Sequence, residues 1–137
     1  MADVFSSQKR SAIMARIRGR ENKRTELALV GILRRNKITG WRRHQPLFGR
    51  PDFVFHQQRL VLFVDGCFWH CCPKHATQPG SNRAFWMRKL QRNRARDRLV
   101  NQTLRKAGWK VVRIWQHDLT RKNEVRVVTR ISKRLAL

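Results

Sequence analysis

Leu60-Val61-Leu62-Phe63-Val64-Asp65-Gly66-Cys67-Phe68-Trp69-His70 decides the fold. Its first five residues are continuously apolar, the pattern of a strand inside a sheet covered on both faces. Asp65 closes that strand, and the chain passes at once to cysteine, histidine and aromatic residues. Working outward, Pro46 to Pro51 reads as a turn, Asp52 to Phe55 as a second strand and His56 to Arg59 as the connection, which makes a hairpin. The layers that must cover this sheet come from helical patterns. Leu29, Val30 and Leu33 recur at helical spacing behind a possible Asn22 cap, with Glu26 on the same side. Ser81 to Ala107 is one long helical run ending at Gly108, with Trp86, Leu90, Val100 and Leu104 on one stripe. Trp109 to Trp115 reads as another strand and Asn123 to Leu135 as a terminal helix. Strands alternating with helices predict the α/β class, a mixed central sheet flanked by helices, in one domain over residues 1–137.

Charge narrows the partner. The chain has 137 residues, 32 Lys plus Arg against 8 acids, and a formal charge of +24. Such a chain favours a polyanion, and phosphate contacts make the binding strongly salt-dependent. Residues 1–20 form a basic arm suited to DNA contact, with a short helix over Ser7 to Ile17 broken at Gly19. The start MADVFSSQKRSAIM lacks the apolar core of an export signal. No run approaches the roughly 18 apolar residues of a membrane span. Three cysteines, close together and odd in number, make a poor disulfide framework and a plausible metal cluster. The expected location is the cytoplasm, in association with the nucleoid.

Cys67-x4-Cys72-x2-His75 offers three thiolate or imidazole ligands over a short loop. Tetrahedral structural zinc needs a fourth. His117 follows the last strand, and neighbouring strands ending at one edge would bring it beside the loop; His70 and Cys71 are alternatives within the loop. The preferred set is Cys67, Cys72, His75 and His117, giving a zinc-stabilised loop.

The few acids form the second constellation. Asp52 opens one strand, Asp65 closes the next, and Glu26 and Asp97 can approach from two helices. Carboxylates suit Mg²⁺, which activates water and stabilises the leaving oxygen in phosphodiester cleavage. His70, with a pKa closest to neutral, is the proton carrier. Ordinary structural roles compete: Glu26 favours a helix N-terminus, and Asp97 can simply pair with an arginine.

Gly49-Arg50-Pro51-Asp52-Phe53, followed by Val61 to His70, resembles the very short patch repair (Vsr) endonucleases. The resemblance extends over nearly the whole chain, through Arg10-Ser11, Met14, Arg24 to Leu27, Phe85-Trp86, Asn93, Arg96-Asp97 and Gly108-Trp109. It implies a restriction-endonuclease-like fold. It also implies an enzyme that nicks duplex DNA 5′ of the thymine in a G:T mismatch left by deamination of 5-methylcytosine. It assigns Mg²⁺ to Asp52 and the Val64 backbone carbonyl, and catalytic roles to His70, Glu26 and Asp97. Met14, Phe68 and Trp69 match residues that wedge beside the mismatch, and Trp86 a further aromatic of that surface. Wedging unstacks base pairs, and a mismatch resists it less than a sound pair. Phe68 and Trp69 could instead cap the sheet. This chain departs from the pattern in three places. His117 stands where the family often has Cys, Asp65 where some members have His, and Cys71 beside Cys72 leaves the ligand register open.

The expected activity is that of a Mg²⁺-dependent, strand-nicking DNA endonuclease leaving a 5′-phosphate. The expected partners are mismatched duplex DNA and the mismatch-repair and repair-synthesis proteins that accept the nick. A mismatch site need not be two-fold symmetric, so the expected form is a monomer. Two rivals remain: a restriction or nicking endonuclease for paired DNA, and a zinc-stabilised DNA-binding protein without chemistry.

Overall fold

The computed structural model describes residues 24–67 and 82–136. In chain order the elements are helix α1 over 24–35, strands β1 (Trp41–Arg43), β2 (Phe53–Phe55) and β3 (Leu60–Asp65), helix α2 (Arg83–Lys106), strand β4 (Lys110–Trp115) and helix α3 (Glu124–Leu135). Short 3-10 turns at Gln116–Asp118 and Arg121–Asn123 link β4 to α3. The sheet order is β1-β2-β3-β4. β1, β2 and β3 pair antiparallel as a meander, and β4 joins β3 in parallel, with Leu60 opposite Lys110 and Asp65 opposite Trp115. A parallel neighbour requires a crossover, and α2 is that crossover.

Side-chain alternation along each strand sorts the core into two layers. Phe53, Phe55, Leu60, Leu62, Val64, Val112 and Ile114 pack with Leu29, Val30, Ile32 and Leu33 of α1 and Val127 and Ile131 of α3. Val54, Val61 and Phe63 point the other way, onto Val100 and Leu104 of α2. All six residues of β3 are buried, which is why its sequence shows no polar alternation. The buried residues of α2 are Trp86, Leu90, Val100 and Leu104, the stripe expected from spacing. β1 is the element that periodicity missed. Trp-Arg-Arg has no apolar repeat, and it forms an edge strand through pairing with β2 and the edge-on packing of Trp41 against Phe53, 5.5 Å between centroids.

The turn before Asp52 is fixed by a close approach. Gly49 has φ +79°, and a Cβ there would stand 2.4 Å from Val100 Cγ1 of α2. Only glycine meets both conditions, so the Gly49-Arg50-Pro51 turn is locked onto α2 as it delivers Asp52 to the sheet. At the far ends of α1 and α3, Arg35 and Asn36 donate to Glu124 at 2.6 and 3.1 Å.

Candidate active site

Antiparallel pairing puts the start of β2 beside the end of β3, and parallel pairing puts the end of β4 there too. The end of β1, at Arg43 opposite Phe53, completes the same edge. Residues from four strands therefore meet at the carboxyl end of β3, where open α/β sheets commonly place their ligands.

Asp52 lies at the centre. Its backbone N–H donates to Leu62 O at 3.0 Å, and its Oδ2 accepts from the Val64 N–H at 2.7 Å. Burial raises the Asp52 carboxyl from 3.8 to about 7; the Val64 N–H opposes the rise, while a hydrogen bond from protonated Asp52 to Glu26 and the charges of Glu26 and Asp65 add to it. Glu26, on the first described turn of α1, is 9% exposed. Arg43 Nη2 donates to its Oε2 at 2.6 Å, and His44 Nε2 lies 3.3 Å from the same oxygen. Glu26 thus acts across the sheet end as well as on its helix.

Asp65 and Asp97 meet at one guanidinium. Arg113 Nη1 donates to Asp65 Oδ1 at 2.9 Å and stands 3.6 Å from Asp97 Oδ1. The arginine partner weighed for Asp97 is therefore present. Asp65 is 4% exposed, among the most buried acids described. Sequence reasoning missed Arg113 and Arg43. Their signal was faint: a charged residue in the middle of Lys-Val-Val-Arg-Ile-Trp, among 32 cationic residues.

On the opposite flank, Cys67 Sγ and His117 Nδ1 are 3.5 Å apart. Gln116 Oε1 accepts from the Cys67 N–H at 3.4 Å, and His117 Nε2 lies 3.5 Å from Asp118 Oδ1. The strand ends have brought His117 to Cys67 as expected. Cys72, His75, His70, Phe68, Trp69 and Met14 lie outside the described residues. Among the described residues no group of three or more His, Cys, Asp or Glu side chains is placed to hold a metal ion. Trp86 is buried at 7% exposure, and Phe85 on the same turn, at 46%, presents the open ring. No described helix is long and apolar enough to cross a membrane.

A mixed sheet between helical layers, with acids gathered where a hairpin opens, defines the restriction-endonuclease-like class of α/β proteins. Comparison with known proteins narrows the class. The profile of the family described as DNA mismatch endonuclease Vsr matches residues 2–77. The DNA mismatch endonuclease Vsr of Escherichia coli (strain K12) is 34% identical over 117 residues, 85% of this chain and 74% of that protein. The Type II nicking enzyme V.XorIIP of Xanthomonas oryzae pv. oryzae is 37% identical over 121 residues, 88% of each chain. The Type II nicking enzyme V.NaeI of Lentzea aerocolonigenes is 52% identical over 69 residues, which span 50% of this chain and 42% of that enzyme. The chain belongs to the Vsr family of DNA endonucleases.

Proposed function

We propose that the protein is a Mg²⁺-dependent mismatch endonuclease that nicks duplex DNA 5′ of the thymine in a G:T mismatch arising from 5-methylcytosine deamination. The observation that carries this reading is the partly buried Asp52 carboxyl, aimed by the Val64 N–H and holding its proton up to about pH 7 beside Glu26. A buried acid held so close to another acid favours exchange of that proton for a cation. The donors present are hard oxygens, which suit Mg²⁺.

Asp52 and the Val64 carbonyl would hold the ion, which supplies charge stabilisation at the phosphate and a more acidic water. The chain's own residues do the rest. Val64 N–H orients the Asp52 carboxylate. Arg43 holds Glu26 beside Asp52. His70 accepts the proton of the attacking water. Asp65 and Asp97 flank the centre with Arg113. The basic arm of residues 1–20 and the arginines between Arg88 and Arg98 take phosphates, and Met14, Phe68 and Trp69, together with Trp86, open the duplex at the mismatch. The products carry a 5′-phosphate and a 3′-hydroxyl for repair synthesis.

Structural zinc on Cys67, Cys72, His75 and His117 belongs to the same reading. Sulfur and nitrogen ligands on one tetrahedral zinc, with bonds of about 2.3 and 2.0 Å, stand roughly 3.5 Å apart. The Cys67–His117 separation of 3.5 Å fits, and Asp118 behind the ring is the usual partner of a metal-bound imidazole.

End-labelled duplexes differing only at one G:T, G:C or A:T pair, incubated with Mg²⁺, test the function. Nicking confined to the thymine strand of the G:T duplex, and lost in Asp52→Ala, is the expected result. Cleavage of paired duplexes at a fixed sequence would instead make it a restriction or nicking enzyme, as several relatives are named. Tight binding without any cleavage would leave a DNA-binding protein.

A further inference from the structure

Four of the eight acids in the chain, Glu26, Asp52, Asp65 and Asp97, gather near one end of the sheet. That end must still admit a DNA phosphate. The acids are not equivalent, because two of them are tied to Arg113. This side chain projects from β4 on the α2 side, opposite Phe63 in the register, and is 18% exposed. Its guanidinium carbon lies 4.2 Å from the Phe63 ring centroid. Its Nε donates to Asn101 Oδ1 at 2.7 Å, while Nη1 reaches Asp65 Oδ1 at 2.9 Å and Asp97 Oδ1 at 3.6 Å. Asp97 and Asn101 are one helical turn apart on α2, so the arginine ties that helix to the end of β3.

We propose that Arg113 is a positioning residue that commits Asp65 and Asp97 to an ion pair beneath α2, so that the divalent cation is anchored at Asp52 rather than shared among three carboxylates. The inference rests on the reading of Asp52 as the metal anchor. A planar guanidinium, with one edge on Asn101 and a face on Phe63, holds its partners in fixed places. It cancels charge that would otherwise repel phosphate and offer competing oxygen donors.

Titration of the DNA-free protein with Mn²⁺, which takes the same oxygen ligands and is read by electron paramagnetic resonance, tests this without relying on activity. Arg113→Met takes the guanidinium away from both acids, so Mn²⁺ should bind at least about fivefold tighter or with a second ion, while nicking falls about tenfold or more. Asp65→Asn should leave Mn²⁺ affinity within about twofold of wild type, because Asp65 is not a ligand. Adding Asp65→Asn to Arg113→Met should bring Mn²⁺ binding back toward wild type. Arg113→Lys retains the charge and covers the case in which Arg113→Met does not fold; it should keep a single ion bound. The proposal is overturned if Asp65→Asn alone weakens Mn²⁺ binding about tenfold, or if a folded Arg113→Met binds Mn²⁺ and nicks as wild type does. Metal bound by wild type and lost in Asp52→Asn, without nicking of any duplex, would defeat the endonuclease reading and leave this inference standing. Equal metal binding by wild type and Asp52→Asn would remove Asp52 as anchor and the inference with it.

Discussion

The two halves of the β2–β3 hairpin follow opposite rules. Toward the hairpin turn, Phe55, Leu60 and Val61 are fully buried among apolar neighbours and need nothing but volume. Toward the open end, a few residues away, the Asp52 and Asp65 carboxyls are held by the Val64 N–H and by Arg113. The first region lowers the free energy of the fold by removing carbon from water. The second raises it, by holding acids close together with two half-buried arginine contacts as partial compensation. Strain of that kind is kept where chemistry needs it. The sheet therefore supports at one end what it stores at the other.

Single substitutions test that division. Asp52→Asn keeps the shape of the side chain and removes the charge, so Mg²⁺-dependent nicking should fall by about a thousandfold or more while duplex binding persists. A variant that still nicked would merge the two halves into one structural sheet. Leu60→Ala, in the apolar half, should cost about 2–5 kcal/mol in denaturant unfolding. Nicking by whatever fraction stays folded should be nearly unchanged, and a specific activity lowered in step with Asp52→Asn would show that the halves are not separable.

A smaller effect comes from pH. Because folding raises the Asp52 carboxyl from 3.8 to about 7, its proton contributes stability in full below about pH 4, and that contribution is lost as the pH climbs through 7. Thermal unfolding of metal-free protein should thus lose more Tm between pH 5 and 8 in wild type than in Asp52→Asn. Equal losses would remove burial as the cause. The smallest effect belongs to Glu124, whose ion pair with Arg35 is exposed to solvent and joins α1 to α3. Its hydrogen bonds from Arg35 and Asn36 hold the Glu124 carboxyl below its usual range. Glu124→Gln should shift Tm barely measurably, and less still in high salt. A large shift would mean that charge pairs matter as much at the surface as at the sheet end.

Much of the frame is readable from residue order. The apolar run at Leu60 to Val64 could only be a doubly covered strand. The stripe of Trp86, Leu90, Val100 and Leu104 named the buried face of α2 before any neighbour was known. Asp52, Glu26 and Asp65 stand out because acids are rare in this chain. β1 was hidden because an edge strand of three residues owes its existence to the pairing of Trp41 to Arg43 with β2, which no local pattern encodes. Arg113 was hidden for the opposite reason: arginine is so common here that one more carries no information until its neighbours in space are known.

By itself, then, the sequence determined periodicity, charge and the inventory of chemical groups: an α/β sheet, a polyanionic partner, a sparse set of acids, and cysteines and histidines close together along the chain. These are properties of residues and of their spacing along one chain. Only the tertiary structure decided that Asp52 and Glu26 come together, that Arg113 holds Asp65 beside Asp97, and that His117 comes within 3.5 Å of Cys67. Such pairings depend on the register between strands distant in sequence and on the helix laid across them. Hydrogen bonds and Coulomb forces act over a few ångströms of space, irrespective of how many residues of chain lie between.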